Sequence, residues 1–414
     1  MAHRSLSGRH LLVCGRWDPW LSVVSLDDAL DPMNSGTDRA VINRLRVTPD
    51  ATDDDGTAAP ACGLPVSVVV APDLRRLFVV NHAGSASAAD TARMTHGHSG
   101  SVAMLDIDAA LDRRNTGTLD AVRSIVATAT HGPVGGALTP DGGYLLVAAG
   151  EGNGTEDGGR AITVIRTAAG TVLHNYPLAA QGAPSVHPSP HADFGRYPNP
   201  AGIAVTAAHG GLVFTGNGGT DDVSVLSLSA VLGGQPGGEI ARIPVRHGPF
   251  GIAISPDDRL LAVANRESAR TGAEGNTVSL IDIAGIASRS ARDPARAHAA
   301  EVRIGTDRME VPTRPMSCAF AADGALFAVS YRTGTVSRIN TVEAREVRRV
   351  ALATPDGSPA CPRGVCAVGN HVAVSGGAKS DSGSSWLWIL DAASLETVGL
   401  VGGVGNEAYL VAAL

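Results

Sequence analysis

The stretch RHGPFGIAISPDDRLLAVANRE, residues 246–267, holds two short apolar runs separated by a Pro-Asp-Asp turn. Apolar runs of this length, bounded by Gly, Pro and Asp, are typical of β-strands joined in a hairpin. The sequence His-Gly-Pro comes before the first run, and Asn-Arg-Glu ends the second. The stretch therefore predicts an antiparallel strand pair with chemically versatile side chains gathered at one end.

The same pattern recurs along the chain. Comparable stretches are LPVSVVVAPDLRRLFVVNHAG, GPVGGALTPDGGYLLVAAGEG, NPAGIAVTAAHGGLVFTGNGG and RPMSCAFAADGALFAVSYRTG, which begin at Leu64, Gly132, Asn199 and Arg314, and a looser copy begins at Pro362. Each copy is followed by a third apolar strand such as NTVSLIDIA and a more polar fourth strand such as EVRRVAL. Units of four short strands repeated in this way are typical of propeller blades.

The two ends of the chain complete the count. The first strand pattern, HLLVCGRW, matches the second strand of a blade, and PWLSVVSLDDA matches a third, whereas NEAYLVAAL at the other end matches an unpaired first strand. Joining these ends forms a seventh blade and leaves no exposed sheet edge, which would otherwise promote aggregation. We therefore predict an all-β fold, a seven-bladed β-propeller whose four-stranded blades are closed by pairing the N-terminal strands with the C-terminal strand.

The repeat divides residues 1–414 into blades of a single domain. The predicted boundaries are 404–414 plus 9–50 for blade 1, 61–128 for blade 2, 131–178 for blade 3, 197–245 for blade 4, 246–304 for blade 5, 313–352 for blade 6 and 361–402 for blade 7. Two insertions, residues 83–100 and 179–198, interrupt the pattern. Insertions of this length in a compact domain are often functional, and both are predicted to lie on the active face.

The segments LFVVNHAG…GSVAMLDI and LLAVANRES…GNTVSLIDI resemble the YVTN-type repeat of bacterial seven-bladed propellers, a broad group that includes lactonase-like propellers. The resemblance extends blade by blade over nearly the whole chain. It implies the propeller fold but no particular chemistry, because propellers serve as scaffolds, hydrolases, lyases and redox subunits. No catalytic motif of the family is matched residue by residue.

Composition narrows the function classes. The net charge is −7 and no run of basic residues occurs, which argues against a nucleic-acid partner. No apolar stretch approaches the ~20 residues of a membrane span, and no signal-peptide pattern is seen, so we expect a cytoplasmic protein with no membrane partner. No Gly-rich loop opens a helix, so no nucleotide cofactor is indicated. The oligomeric state is open, and a monomer is compatible with the sequence.

In a propeller, the loop entering the innermost strand and the loop leaving the second strand open at the same end of the central channel. Histidine titrates near neutral pH and can move protons, so the predicted acid–base residues in these loops are His247, His131, His82 and Glu151. Arginine forks bind carboxylates and stabilise oxyanions. The predicted substrate-binding residues are Arg16, Asn217, Arg266, Arg332, Lys379, Tyr331 and Trp17. The alternative for each arginine is a structural ion pair between blades.

Two further pairs of residues suggest other chemistry. His96 and His98 form a His-Gly-His sequence in the first insertion, and imidazole is a ligand for zinc, copper, iron or nickel. The alternative is that these histidines are solvated loop residues. Cys62 and Cys361 lie in entry loops on either side of blade 1 and could approach each other, although reduced thiols are the ordinary state of cytoplasmic cysteines.

The sequence therefore predicts a small-molecule enzyme, a lyase, hydrolase or isomerase, that acts on an anionic or carbonyl-bearing metabolite at one channel mouth. Histidine would transfer protons and arginine would stabilise charge, with or without a divalent metal. The alternative is a non-catalytic scaffold or ligand-binding protein that uses the same face. Scaffold faces usually present exposed aromatic anchors, whereas this face is polar. A redox propeller subunit is a third alternative, and the missing secretion signal counts against it.

Overall fold

A computed structural model describes residues 8–48, 51–52, 58–59, 64–82, 99–150, 159–179, 197–288, 298–377 and 385–414. Within these ranges the chain forms seven four-stranded sheets and a two-stranded sheet of β4 (Ala51–Thr52) and β5 (Ala58–Ala59). Neighbouring strands within each four-stranded sheet are antiparallel. The predicted all-β, seven-bladed propeller is confirmed.

The strands of blades 1 to 4 follow the chain. Blade 1 contains β1 (His10–Gly15), β2 (Trp20–Ser25), β3 (Val41–Arg46) and β30 (Ala408–Ala413). Blade 2 contains β6 (Pro65–Val70), β7 (Arg76–Asn81), β8 (Ser99–Asp106) and β9 (Val122–His131). Blade 3 contains β10 (Pro133–Leu138), β11 (Tyr144–Ala149), β12 (Ala161–Arg166) and β13 (Thr171–Pro177). Blade 4 contains β14 (Pro200–Thr206), β15 (Leu212–Asn217), β16 (Asp222–Ser227) and β17 (Glu239–Pro244).

Blades 5 to 7 repeat this order. Blade 5 contains β18 (Pro249–Ile254), β19 (Leu260–Glu267), β20 (Glu274–Asp282) and β21 (His298–Arg303). Blade 6 contains β22 (Pro315–Phe320), β23 (Leu326–Ser330), β24 (Thr335–Asn340) and β25 (Arg345–Ala351). Blade 7 contains β26 (Gly364–Val368), β27 (His371–Gly377), β28 (Ser385–Asp391) and β29 (Thr397–Gly402).

Short helices join the third and fourth strands of four blades. They are α1 (Leu26–Ala29), α2 (Ile107–Leu111), α3 (Leu228–Leu232) and α4 (Ile283–Ser288). The side chains of Ser25, Asp106 and Ser227 cap the first three of them by accepting a backbone N–H, as expected for N-cap residues. Among the described residues, no helix has the length and apolar character needed to cross a membrane.

The predicted closure through blade 1 is confirmed. The C-terminal β30 pairs antiparallel with β1, with Leu11 opposite Ala413 and Val13 opposite Val411. The backbone N–H of Gly8 donates to the carbonyl of Leu414 at 3.0 Å. The innermost strands β6, β10, β14, β18, β22, β26 and β30 contact one another in sequence around a closed circle, so the propeller has no open blade edge at its centre.

Close packing of the innermost strands requires glycine at several positions, of which Gly202 and Gly251 are two that line the channel. A Cβ atom at Gly202 would lie 2.3 Å from the carbonyl oxygen of Phe250, and one at Gly251 would lie 2.6 Å from the Cα of Ser317. Backbone from the next blade therefore occupies the space of a side chain. This close approach brings the residues that begin each innermost strand within a small circle.

A left-handed residue precedes every innermost strand. Its φ lies between 40° and 57° in all seven blades, and these residues, the entry ring, are Leu64, Gly132, Asn199, Gly248, Arg314, Cys361 and Glu407. All but Glu407 are followed directly by proline. Such φ values are uncommon for residues other than glycine and are often found at functional sites. The repeated turn gives the seven entries one backbone geometry, so side chains at the same offset reach the channel mouth at the same level.

Candidate active site at the channel mouth

The pairing register shows which residues are equivalent at the mouth. In six blades the first residue of the innermost strand faces the last residue of the second strand that pairs with it, as in Pro65 with Asn81 and Pro249 with Asn265. The residue that follows this partner forms a second circle, the rim ring, which comprises Arg16, His82, Gly150, Gly218, Arg266 and Tyr331. All but Tyr331 line one cavity of about 290 Å³.

A third circle lies beneath the rim ring. It consists of the second residue of each innermost strand, and in five blades this residue lines the cavity: Val66, Val134, Ala201, Phe250 and Tyr409, the floor ring. Phe250, Val134 and Ala201 also line the central channel below. The floor ring therefore separates the cavity from the channel.

Arg266 is the principal cationic group of the cavity. Its guanidinium lies over the ring of Phe250, with 4.9 Å between the guanidinium carbon and the ring centroid. The structure gives this side chain no ion pair or hydrogen bond with any described residue, and its Nε is buried without a partner. Burial, followed by the charge of Arg314, lowers the pKa of Arg266, although a guanidinium stays protonated in proteins. Arg266 is therefore a partly buried cation that has no ion pair with a described residue.

Arg16 lies in a similar setting in blade 1. Its guanidinium carbon is 5.3 Å from the ring centroid of Tyr409 and 5.6 Å from that of Trp17. Its ion pair with Glu407 is long, at 3.8 Å. The guanidinium is thus held by aromatic rings rather than by a close carboxylate, which leaves its hydrogen-bonding capacity available to a ligand.

A chain of ion pairs separates the cavity from the outer face of blade 5. Arg314 pairs with Glu267, which also lines the cavity, and its Nη1 lies 3.5 Å from Oε1 of Glu274. Glu274 in turn accepts hydrogen bonds from Arg332. Arg332 thus forms an ion pair between blades 6 and 5, which is the structural role given above as the alternative to substrate binding. Its side chain is 52% exposed.

A buried ion pair links blade 7 to blade 1 at the channel mouth. Nε of Arg363 lies 3.2 Å from Oε1 of Glu407, and both side chains are almost fully buried. Nη1 of Arg363 also donates to the carbonyl of Gly377 at 2.7 Å. These contacts join blade 7 to the strand that closes blade 1, and they place Glu407 beneath Arg16.

His82 is the histidine of the cavity. It is 4% exposed, and its Nδ1 lies 3.0 Å from the carbonyl oxygen of Pro133. A carbonyl can only accept a hydrogen bond, so Nδ1 must carry the proton. In the neutral tautomer that this contact favours, the lone pair lies on Nε2.

The structure brings only some of the predicted site residues together. His82, Arg16 and Arg266 line the cavity, and Trp17 contributes the ring beneath Arg16. Arg332 lies one residue beyond the position of Arg16 and Arg266, because Tyr331 occupies the rim-ring position of blade 6. Tyr331 is packed between the guanidinium groups of Arg314 and Arg363, at 5.7 and 5.1 Å.

Two other predicted residues lie away from the cavity. Asn217 is fully buried inside blade 4, where its Nδ2 donates to Asp222 at 2.7 Å and to Ser224 at 2.8 Å. His247 lines a separate cleft with Glu274 and Glu301. Gly248, whose φ is 48°, lines the main cavity in its place. The left-handed turn at Gly248 separates His247 from Arg266.

Several predicted residues fall outside the described residues: Glu151, Lys379, His96, His98 and Cys62. His131 ends β9, and only its backbone is described. Among the described residues, no group of three or more His, Cys, Asp or Glu side chains is placed to hold a metal ion. The predicted metal site and the proximity of Cys62 to Cys361 stay predictions.

Sequence reasoning left out three residues that build the site. They are the floor aromatics Phe250 and Tyr409 and the entry-ring residue Glu407. A signal existed in the repeat: the residue on either side of the entry proline differs between blades, while the strand around it stays apolar. Phe250 follows such a proline and could have been found in this way.

Comparisons with known proteins agree with the fold. No protein-family model and no curated protein matches the chain. Among solved structures, the chain is similar to the Pseudomonas aeruginosa periplasmic gluconolactonase PpgL, with a TM-score of 0.62 and 16% identity over 98% of this chain and 99% of that one.

A second similar structure is a Bacteroides fragilis protein described as a candidate 6-phosphogluconolactonase, with a TM-score of 0.60, 12% identity and full coverage of both chains. At such identities the likeness concerns the fold. The YVTN-type resemblance has no matching family model and stays a prediction. Two similar structures are thus named for gluconolactone or 6-phosphogluconolactone hydrolysis, and the likeness to them shows the fold of this chain alone.

Proposed function

We propose that the cavity binds an anionic lactone and hydrolyses its ester bond. The observation that carries this proposal is Arg266, a partly buried guanidinium in the cavity with no ion pair or hydrogen bond to any described residue and with its Nε buried. A charge withdrawn from water without a partner is costly. A bound anion or a developing oxyanion supplies the missing partner, so the cost becomes binding or transition-state energy.

The cavity contains the groups that ester hydrolysis needs. His82, anchored through Nδ1 to Pro133, takes a proton from water at Nε2 as the water oxygen attacks the lactone carbonyl. Arg266 stabilises the oxyanion formed at that carbonyl. The carbon–oxygen bond of the ring then breaks, and His82 returns the proton to the departing alkoxide, which gives a hydroxy acid. Arg16, held between Trp17 and Tyr409, pairs with the anionic substituent.

Two similar structures support the choice of a lactone. One is named a gluconolactonase and the other is described as a candidate 6-phosphogluconolactonase. Lyase and isomerase chemistry would also use a histidine base and an arginine. Ester hydrolysis is favoured because a single histidine can serve first as base and then as acid, and His82 is the one described histidine that lines the cavity.

The test is lactone hydrolysis followed by pH-stat titration with Arg266→Met. We expect kcat/KM to fall by about 10²–10³-fold, the usual effect of removing one oxyanion donor, while the melting temperature stays the same or rises. Arg308→Met is the matched control, because Arg308 is exposed outside the cavity, and it should keep full activity. Full activity in Arg266→Met would refute the proposal. Binding of carboxylates without turnover of any lactone would identify a ligand-binding protein instead.

A further inference from the structure

Tyr409 is the one floor-ring residue with a polar atom in its side chain. The other four residues of the ring are Val66, Val134, Ala201 and Phe250. Tyr409 is 6% exposed, and its hydroxyl forms no hydrogen bond with any residue that the structure describes. Unlike Nε of Arg266, this hydroxyl is not sealed from the solvent. A largely buried tyrosine usually has a partner for its hydroxyl, so the contents of the cavity are the source of a partner for this one.

Blade 5 shows that this hydroxyl is not needed to hold an arginine. Phe250 and Tyr409 are the second residues of their innermost strands, and each lies under the rim-ring arginine of its own blade. The guanidinium carbon lies 4.9 Å from the ring centroid for Arg266 over Phe250 and 5.3 Å for Arg16 over Tyr409. Stacking of a guanidinium requires only the ring. The oxygen that distinguishes Tyr409 from Phe250 therefore has no structural partner to explain it.

The hydroxyl of Tyr409 lies near both cationic groups of the cavity. Arg16 stacks on its ring. Burial, followed by the charge of Arg314, lowers the pKa of Arg266, and the phenol of Tyr409 is the first group that raises it, ahead of the Glu267 carboxylate. Because an electrostatic effect of this kind weakens with distance, the phenol oxygen lies close to the guanidinium of Arg266. Both groups line one cavity of about 290 Å³, so one small oxyanion can contact both.

We propose that the hydroxyl of Tyr409 is a second oxyanion donor, which donates a hydrogen bond to the tetrahedral intermediate beside Arg266. This inference rests on the proposed function for the reaction and on the unpaired hydroxyl for the residue. A hydrogen bond to the substrate oxygen becomes stronger as that oxygen gains negative charge, so the contact lowers the barrier more than it tightens substrate binding. Tyr409 keeps its proton in this role, and the proton transfers stay with His82.

The experiment compares Tyr409→Phe with the parent chain, because this change keeps the ring under Arg16 and removes only the oxygen. With 5-oxotetrahydrofuran-2-carboxylate as the substrate, pH-stat titration should show kcat lower by about 100-fold and KM changed by less than about threefold. A residue that only holds Arg16 would leave both constants unchanged, since Phe250 holds Arg266 without a hydroxyl. Tyr144→Phe is the matched control, because Tyr144 begins β11 at the end of blade 3 away from the mouth. It should keep full activity, and both variants should keep the melting temperature of the parent.

Calorimetry with sulfate, a tetrahedral oxyanion, tests the same donor without turnover. The parent chain should bind sulfate about tenfold more tightly than Tyr409→Phe, and Tyr144→Phe should match the parent. Unchanged kcat and unchanged sulfate binding in Tyr409→Phe would overturn the inference and leave the proposed function intact. Weaker sulfate binding in Tyr409→Phe, with no lactone turnover in the parent, would uphold Tyr409 as an anion donor and refute the hydrolase. A parent chain that neither binds sulfate nor hydrolyses a lactone would overturn both.

Discussion

The two halves of the channel mouth use the same backbone for different purposes. At the rim ring, blades 5 and 1 place Arg266 and Arg16, whereas blades 3 and 4 place Gly150 and Gly218 at the equivalent positions. Below them, the first pair of blades has Phe250 and Tyr409, and the second pair has Val134 and Ala201. In blades 5 and 1 a guanidinium stacks on an aromatic ring. In blades 3 and 4 the small side chains leave room for a ligand. A repeat that builds seven equal blades thus forms an asymmetric cavity through its side chains alone.

The largest effect is expected from the ion pair beneath the charged half. Glu407→Gln removes the carboxylate shared by Arg363 and Arg16 and leaves a buried guanidinium uncompensated. We expect the free energy of unfolding to fall by about 3–5 kcal/mol, measured by urea denaturation. Glu343→Gln is the matched control, because its pair with Arg345 is exposed and should contribute less than about 1 kcal/mol. Equal losses in the two variants would show that burial does not decide how much these ion pairs contribute to stability.

A second effect separates the two clefts. His82→Asn keeps a donor for the carbonyl of Pro133 but removes Nε2, and kcat for lactone hydrolysis should fall by at least about 100-fold. His247→Asn, in the outer cleft, should change kcat less than twofold. Both are measured by pH-stat titration at saturating substrate, with circular dichroism to verify folding. If His247→Asn were the inactive variant, the reaction would belong to the outer cleft.

The smallest effect concerns the pH dependence of stability in blade 1. Burial raises the pKa of Asp18 to about 6, although backbone N–H groups of Asn406 and Trp20 donate to its carboxylate. The folded chain then binds this proton more tightly than the unfolded chain, so the contribution to stability is present at about pH 4 and is lost as the pH rises through 6. The loss should reach about 2 kcal/mol.

The measurement for Asp18 is a difference between variants. Urea midpoints of the parent chain and of Asp18→Asn are compared between pH 4 and pH 6.5, and the parent should lose its relative advantage over that range. Asp120→Asn, an exposed carboxylate, corrects for general titration. A pH-independent difference would mean that Asp18 titrates alike in the folded and unfolded chains.

The fold was more predictable than the site because the same pattern of strands and turns recurs in every blade. Repeated Pro-Asp turns and apolar runs predict the blades, and the unmatched strands at the two ends predict the closure through β30. Arg16, His82 and Arg266 were also found, because each directly follows an apolar strand. Side-chain direction was not predictable for His247 or Arg332: a left-handed Gly248 and a one-residue difference in register decide it, and a shift of one residue turns a strand's side chains to the other face.

The floor aromatics and Glu407 were missed for a different reason. Phe250 and Tyr409 look like ordinary core residues in a strand, and only the closed circle shows that they face a cavity. Glu407 lies in a segment without the entry proline of the other blades, so its equivalence to Arg314 depends on the φ values. Such relationships arise between blades that are distant in the sequence.

The shared blade 1 has a mechanical consequence. Gly8 and Leu414 lie side by side at one end of the antiparallel pair β1–β30, so a force that pulls the two ends apart would load the hydrogen bonds of this pair one after another rather than all together. Under tension the two strands would therefore separate one residue pair at a time, starting between His10 and Leu414. The break between β1 and β30 would reach Glu407 and Arg16 last, so the channel mouth would be the last part of blade 1 to open.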